Sequence, residues 1–323
     1  LRNTLVVSGA IAAIVALGPR PRVDAPTVAP KLPEGLGALP AWLAARETSA
    51  GVTDTNVAKR IVFANASVPS RTMWSVVYLH GFSATRQETA PLSEQVAQTL
   101  GANLFETRLT GHGLPGDSLA HVTAQQWLAD AVEALAIGRA LGDSVLVIGT
   151  STGGTLAVWL ATQPASAQAG LARLVLISPN FGPKDKAAGV LTLPWANVLL
   201  PRFIPQRTWE AKNAEQQRYW TVSYPSTALF PMQALVERVR SAPLDNYRVP
   251  TLVFSNPGDP VVDAARTGAW VARAARTSRA TLQHRFVTPA GGDDPHVLAG
   301  RIVSPTQTAT FVERVVSWVR APR

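Results

Sequence analysis

Three runs of nearly uninterrupted apolar residues constrain this chain most: Trp74–Leu79 (WSVVYL), Ser144–Gly149 (SVLVIG) and Leu171–Ile177 (LARLVLI). A strand with one wet face alternates apolar and polar residues. A strand that is apolar at almost every position is buried on both faces, as in a parallel sheet. Further strand-like runs are Arg60–Ala64, Asn103–Leu109, Thr251–Ser255 and Ala280–Val287. Helical stretches stand between them: a polar one over Gln87–Leu100, one capped by Thr123 and running to about Leu141, one over Gly154–Thr162, and two more near Asp263–Arg276 and Pro305–Val319. In the second, Trp127, Leu128, Ala131, Leu135 and Ile137 follow a helical period. This alternation predicts an α/β fold: a mostly parallel, doubly wound sheet with helices on both faces.

Gly182–Arg248 breaks the alternation with Trp195, Trp209, Tyr219, Trp220, Tyr224 and Phe230 among several prolines. It is too long for a plain loop in a compact domain, so a helical cap inserted over about residues 182–248 is expected. At the other end, Thr4–Leu17 (TLVVSGAIAAIVAL) carries no charge, with Arg2 before it and Arg20 and Arg22 after it. It is shorter than the roughly 20 residues that cross a bilayer comfortably. Residues 1–25 are read as a signal peptide or membrane anchor, with a packed helix as the alternative. Export or membrane attachment follows from the first reading, a cytoplasmic location from the second. Pro26, Pro30, Pro33 and Pro40 mark residues 26–45 as a linker, leaving 46–323 as the globular body.

The chain has no cysteine, which excludes disulfides, thiolate metal sites and a cysteine nucleophile. Its net charge is +9, but the cations are scattered and form no run of five, so no nucleic-acid partner is expected.

Gly149-Thr150-Ser151-Thr152-Gly153 fits G-x-S-x-G between a strand and a helix. A sharp strand-to-helix turn lifts a serine hydroxyl above a sheet, and the flanking glycines make room for the backbone. The N-terminus of the following helix favours a developing oxyanion. Ser151 is thus the candidate nucleophile.

With this motif the chain resembles the α/β-hydrolase family, in particular serine esterases and lipases of the monoacylglycerol-lipase and carboxylesterase type, over about residues 60–320. Leu79-His80-Gly81-Phe82 resembles the family's H-G-x turn. That implies oxyanion-hole amides at Phe82 and Thr152, with His80 supporting the turn. Arg108–Gly113 resembles the R-x-P-G-H-G loop with Thr110 in the proline position, a structural role for His112 rather than a metal or catalytic one. The order Ser, acid, His points to Asp259 in Asn256–Val262, with Asp263 as the alternative, and to His296 in Gly292–Leu298. His284 falls inside a strand, and Asp293 and Asp294 are competing acids next to His296.

The resemblance implies hydrolysis of carboxylic esters by Ser151, His296 and Asp259 through an acyl-enzyme, without metal or organic cofactor. Lipid-like or acylglycerol esters with an apolar acyl chain are favoured, because Trp195, Val198, Leu199, Leu200 and Phe203 form an apolar cluster fit to line a pocket. An acyltransferase, thioesterase or peptidase would use the same triad, and a non-catalytic binding module is the rival from another class.

Overall fold

The computed structural model describes residues 28–322 together with Gly18, Pro19 and Val23. The apolar run Thr4–Leu17 lies outside the described residues, so its reading as signal, anchor or helix stays an expectation. No described helix is long and apolar enough to cross a membrane.

Seven strands form the central sheet: β1 (Arg60–Val62), β2 (Thr72–Leu79), β3 (Asn103–Glu106), β4 (Gly142–Thr150), β5 (Leu171–Ile177), β8 (Thr251–Ser255) and β9 (Leu282–Phe286). Their order is β1-β3-β2-β4-β5-β8-β9. Every pairing is parallel except β1 with β3. The apolar runs follow from the pleat, which sends successive side chains to opposite faces. Val77, Leu79, Val145, Val147, Leu174 and Leu176 enter one core, and Val76, Tyr78, Leu146, Ile148, Val175 and Ile177 enter the other.

The first face is covered by α1 (Leu39–Ser49), α3 (Ala124–Leu141) and α4 (Thr152–Thr162). The second is covered by α2 (Leu92–Leu100) and α10 (Thr308–Arg320). On that side Phe311 of α10 is fully buried with its ring 4.7 Å from Phe254, a burial that stabilises by roughly 1.5–3 kcal/mol. Thr123 caps α3 in a reciprocal pair with Gln126, as its sequence predicts.

The division at 45/46 between linker and body is corrected, because it falls inside α1. Pro40 sits in the first turn of that helix, where a missing N–H costs nothing. Leu39 and Leu43 are buried in the main core, and Glu47 accepts hydrogen bonds from Arg108 Nε at 2.6 Å and Nη2 at 3.0 Å. Leu32 and Leu36, upstream of α1, also pack against the main core. The polar helix expected over Gln87–Leu100 starts only at Leu92; Gln87–Pro91 is a turn.

The insertion is not purely helical. It holds α6 (Ala196–Phe203), α7 (Ala214–Tyr219) and α8 (Leu229–Arg240), following the four-residue α5 (Ala165–Gln168) of the body, plus an antiparallel pair, β6 (Gln206–Thr208) and β7 (Ser223–Pro225). Met232, Leu235, Val236 and Val239 place α8 in the main core, so the cap proper ends near residue 228. The remaining long helix, α9 (Ala264–Thr277), adds Trp270 and Ala274 to the same core.

Removing one partner of a buried ion pair leaves the other charge uncompensated, at about 3–5 kcal/mol. Arg108→Met is accordingly expected to lower the free energy of unfolding by about 3 kcal/mol in urea denaturation.

Candidate active site

Strand β4 runs directly into Ser151, and α4 starts at the next residue. Ser151 has φ 51° and ψ −116°, a backbone that side-chain-bearing residues rarely adopt, at a cost of about 1–3 kcal/mol. The turn is held by Ser151 N–H donating to Ile177 O at 2.9 Å and by Asn180 N–H donating to Ser151 O at 3.0 Å. The two motif glycines are needed for contact, not only for conformation. A Cβ on Gly153 would lie 2.0 Å from Leu79 O, and one on Gly149 2.5 Å from Gly153 O. Helix α4 thus starts in van der Waals contact with the end of β2, where His80-Gly81-Phe82 begins.

The acid and base candidates meet. His296 Nδ1 lies 2.7 Å from Asp259 Oδ2. Asp259 Oδ1 accepts from the Val261 and Val262 amides at 2.7 and 3.0 Å, which fixes the carboxylate. The two loops are tied to the sheet and to each other: Ser178 Oγ donates to His296 O at 2.7 Å, and Asn256 Nδ2 to Pro295 O at 2.9 Å. Burial works to lower the His296 pKa, but the hydrogen bond and charge of Asp259, with the charges of Glu88 and Asp294, hold it above 6.5.

Residues 76–304 match the sequence profile of the Alpha/beta hydrolase family. The chain belongs to that family. A thermostable monoacylglycerol lipase from Bacillus sp. (strain H-257) is 27% identical over 187 residues, spanning 58% of this chain and 71% of that protein. Among solved structures, a study of the metagenome-derived lipolytic enzymes LipS and LipT provides a match at TM-score 0.64 and 20% identity, covering 82% of this chain and 98% of the other. The Paleococcus ferrophilus monoacylglycerol lipase matches at TM-score 0.56 and 13% identity, with 81% and 97% covered. These structures share the fold.

The rival residues have other occupations. Asp263 caps α9, accepting from Ala265 N–H at 3.0 Å. His284 Nε2 is 2.7 Å from Ser255 Oγ within β9. Asp293 bonds Thr306. Asp294 accepts from the His296 and Val297 amides at 2.7 and 2.8 Å, and pairs with Lys212 of the cap at 2.7 Å. It shapes the loop that carries His296. His80 is a latch: Nδ1 is 2.8 Å from Gly81 O, and Nε2 accepts from Leu109 N–H at 3.0 Å. Burial, then His112 and Arg108, drive its pKa well down, so it stays neutral. His112 is buried against Phe82 and Trp127, with burial lowering its pKa to about 4. No metal-binding cluster exists among the described residues.

The apolar cluster expected to line a pocket does not hold together. Phe203 is 81% exposed and Leu199 is exposed as well, whereas Leu200 packs on Leu191 and on Phe230 of α8. Helix α6 is amphipathic, and its outer side carries the residues that looked most like a pocket wall. Tyr224 reaches Phe82 instead, at 5.1 Å between ring centroids.

Two site residues escape sequence reasoning. Glu88 sits in a turn that reads as polar helix, and its carboxylate receives the Gly81 N–H at 2.8 Å. Asp294 reads only as a competing acid. Burial tends to raise the Asp294 pKa, but Lys212 and the two amides outweigh it and hold the group below 3.8. Its stabilising contribution is therefore complete above pH 3.8 and is lost as the pH falls below that value. Asp294→Ala is expected to cost about 1–3 kcal/mol near neutrality and less in acid, measured by denaturation at several pH values.

Proposed function

We propose that this chain hydrolyses carboxylic esters by nucleophilic catalysis from Ser151. The observation that carries this reading is the 2.7 Å contact of His296 with Asp259 at the sheet edge where Ser151 occupies its strained turn. With Nδ1 engaged by Asp259, Nε2 is the nitrogen left to accept the Ser151 proton. Ser151 Oγ attacks the acyl carbonyl, and the Phe82 and Thr152 amides receive the oxyanion. Thr152 is the first residue of α4, so its N–H has no partner inside the helix and points from the positive end of the helix dipole. Each such donor is worth about 3 kcal/mol in the transition state. The imidazolium then gives its proton to the leaving alcohol, and water releases the acyl group by the same path.

Acylglycerol-type esters are the favoured substrates. Two points support this: the monoacylglycerol lipase relative, and the exposed apolar Leu193, Leu199, Phe203 and Ile204 on the cap, a surface suited to aggregated lipid.

Ser151→Ala is expected to lower kcat on p-nitrophenyl butyrate by about 10⁴-fold or more, with folding intact. Unchanged turnover in that variant would sink the reading. The base must be neutral, and its pKa is raised, so kcat/KM should fall on the acid side with a midpoint above 6.5. A pH–rate profile flat down to pH 5 would exclude His296 as the base. Monoacylglycerols turned over no better than short water-soluble esters would remove the lipid preference.

A further inference from the structure

Glu88 is a buried carboxylate that the hydrolytic steps above do not use. It is 2% exposed. Its Oε2 accepts from Gly81 N–H at 2.8 Å and from the Tyr78 hydroxyl at 2.9 Å. Tyr78 Oη also lies 3.2 Å from Thr150 Oγ1. One carboxylate oxygen thus ties the Gly81 turn to Tyr78 of β2, and Tyr78 carries the link on to Thr150 of β4, the strand that leads into Ser151. The other oxygen and Ser151 both border Gly81. A Cβ built on Gly81 would lie 2.7 Å from Glu88 Oε1 and 3.1 Å from Ser151 Cβ.

Nearby cations are directed elsewhere. Arg86 pairs with Glu106 at 3.3 Å. Arg301 bonds Glu215 and Gln87. The charged groups that act on Glu88 are His296 and Asp294, both from the loop after β9. Asp294 is itself paired with Lys212 of the cap. Tyr78 of β2 stays neutral, because burial, then the Glu88 charge, holds its phenol well above the ordinary value. A neutral amide oxygen would still accept the Gly81 and Tyr78 hydrogen bonds, though more weakly than a charged carboxylate. What an amide lacks is charge, and the positive charge that forms in this site during the reaction is on His296.

Resting on the hydrolase reading, we propose that Glu88 is a positioning residue with two tasks: it fixes the Gly81–Phe82 turn through the Gly81 amide, and its carboxylate supports the imidazolium of His296 as Ser151 is acylated. The proton travels from Ser151 Oγ to His296 Nε2 and on to the leaving alcohol; Glu88 does not take it. Burial pushes the Glu88 carboxyl up to about 7, against the pull of its hydrogen bonds and of His296. Its charge therefore changes across neutral pH, and carboxyl and imidazole titrate as a coupled pair. The fully active form has Glu88 ionised and His296 neutral, so two protons must leave on the acid side.

The test compares wild type and Glu88→Gln, which keeps the acceptor and loses the charge. For both, kcat and KM on p-nitrophenyl butyrate are followed against pH, with fluorophosphonate labelling and thermal melting alongside. The wild-type acid limb of log kcat/KM is expected to be steeper than one proton. In Glu88→Gln it should become a one-proton limb and move down by about one pH unit, because the imidazole loses an anionic neighbour. Plateau kcat should fall about tenfold, with KM within about twofold. A folded Glu88→Gln with the wild-type limb and kcat overturns the proposal. Should that variant fail to fold, a wild-type limb of one proton overturns it alone. Ser151-dependent labelling of the wild type separates the two levels: labelling with an unaltered Glu88→Gln profile rejects only the Glu88 role, whereas no labelling rejects the hydrolase reading and this inference with it.

Discussion

The turn at Ser151 is the constraint on which the rest of the site depends. A strand must stop, reverse the sign of φ and start a helix within one residue. This succeeds only because Gly153 lets α4 approach the backbone of β2, and Gly149 lets α4 pack on the end of β4, closer than any Cβ allows. Parallel pairing then sets the remaining geometry. Leu79 pairs with Gly149, Thr150 with Ile177, and Ile177 with Phe254, so four strands end at one level. The residues just beyond those ends carry the turn at Phe82, Ser151, Ser178 and the Asp259 loop. The doubly buried sheet supplies the rigidity that holds a strained turn in place.

Charge is distributed in two different ways. Away from the site, acids are matched by bases: Glu47 with Arg108, Glu106 with Arg60 and Arg86, and Asp130 and Glu133 with Lys59. Three acids act on His296, namely Asp259, Glu88 and Asp294, and among the described residues only Asp294 also pairs with a lysine or arginine, Lys212. This local excess of negative charge raises the imidazole pKa, which suits the role proposed for His296.

The fold is legible in the sequence wherever a local pattern has one physical solution. Apolar runs such as SVLVIG fit only a doubly covered sheet, and glycines spaced around Ser151 fit only a tight strand-to-helix turn. The Asp259 and His296 loops are readable because chain order in this fold leaves few candidates. Features that depend on tertiary neighbours are not legible. Pro40 reads as linker, yet it begins a helix whose burial depends on Leu39, Leu43 and the distant Arg108. Phe203 reads as pocket wall, although the side of α6 that packs inward is set by Phe230 some thirty residues on. Glu88 reads as one more polar residue of a helix. Its role follows from Gly81 and His296 converging on it, and no window of sequence contains both.

The central claim is that acyl transfer passes through Ser151, and the acyl-enzyme itself tests it most directly. The protein would be mixed with p-nitrophenyl butyrate, quenched in acid within milliseconds, digested and analysed by mass spectrometry. The account predicts a butyryl group on the hydroxyl of Ser151, appearing as fast as p-nitrophenol is released and decaying as turnover ends. Rapid p-nitrophenol release with no acyl group on Ser151 at any time, or with the acyl group on another residue, would contradict it.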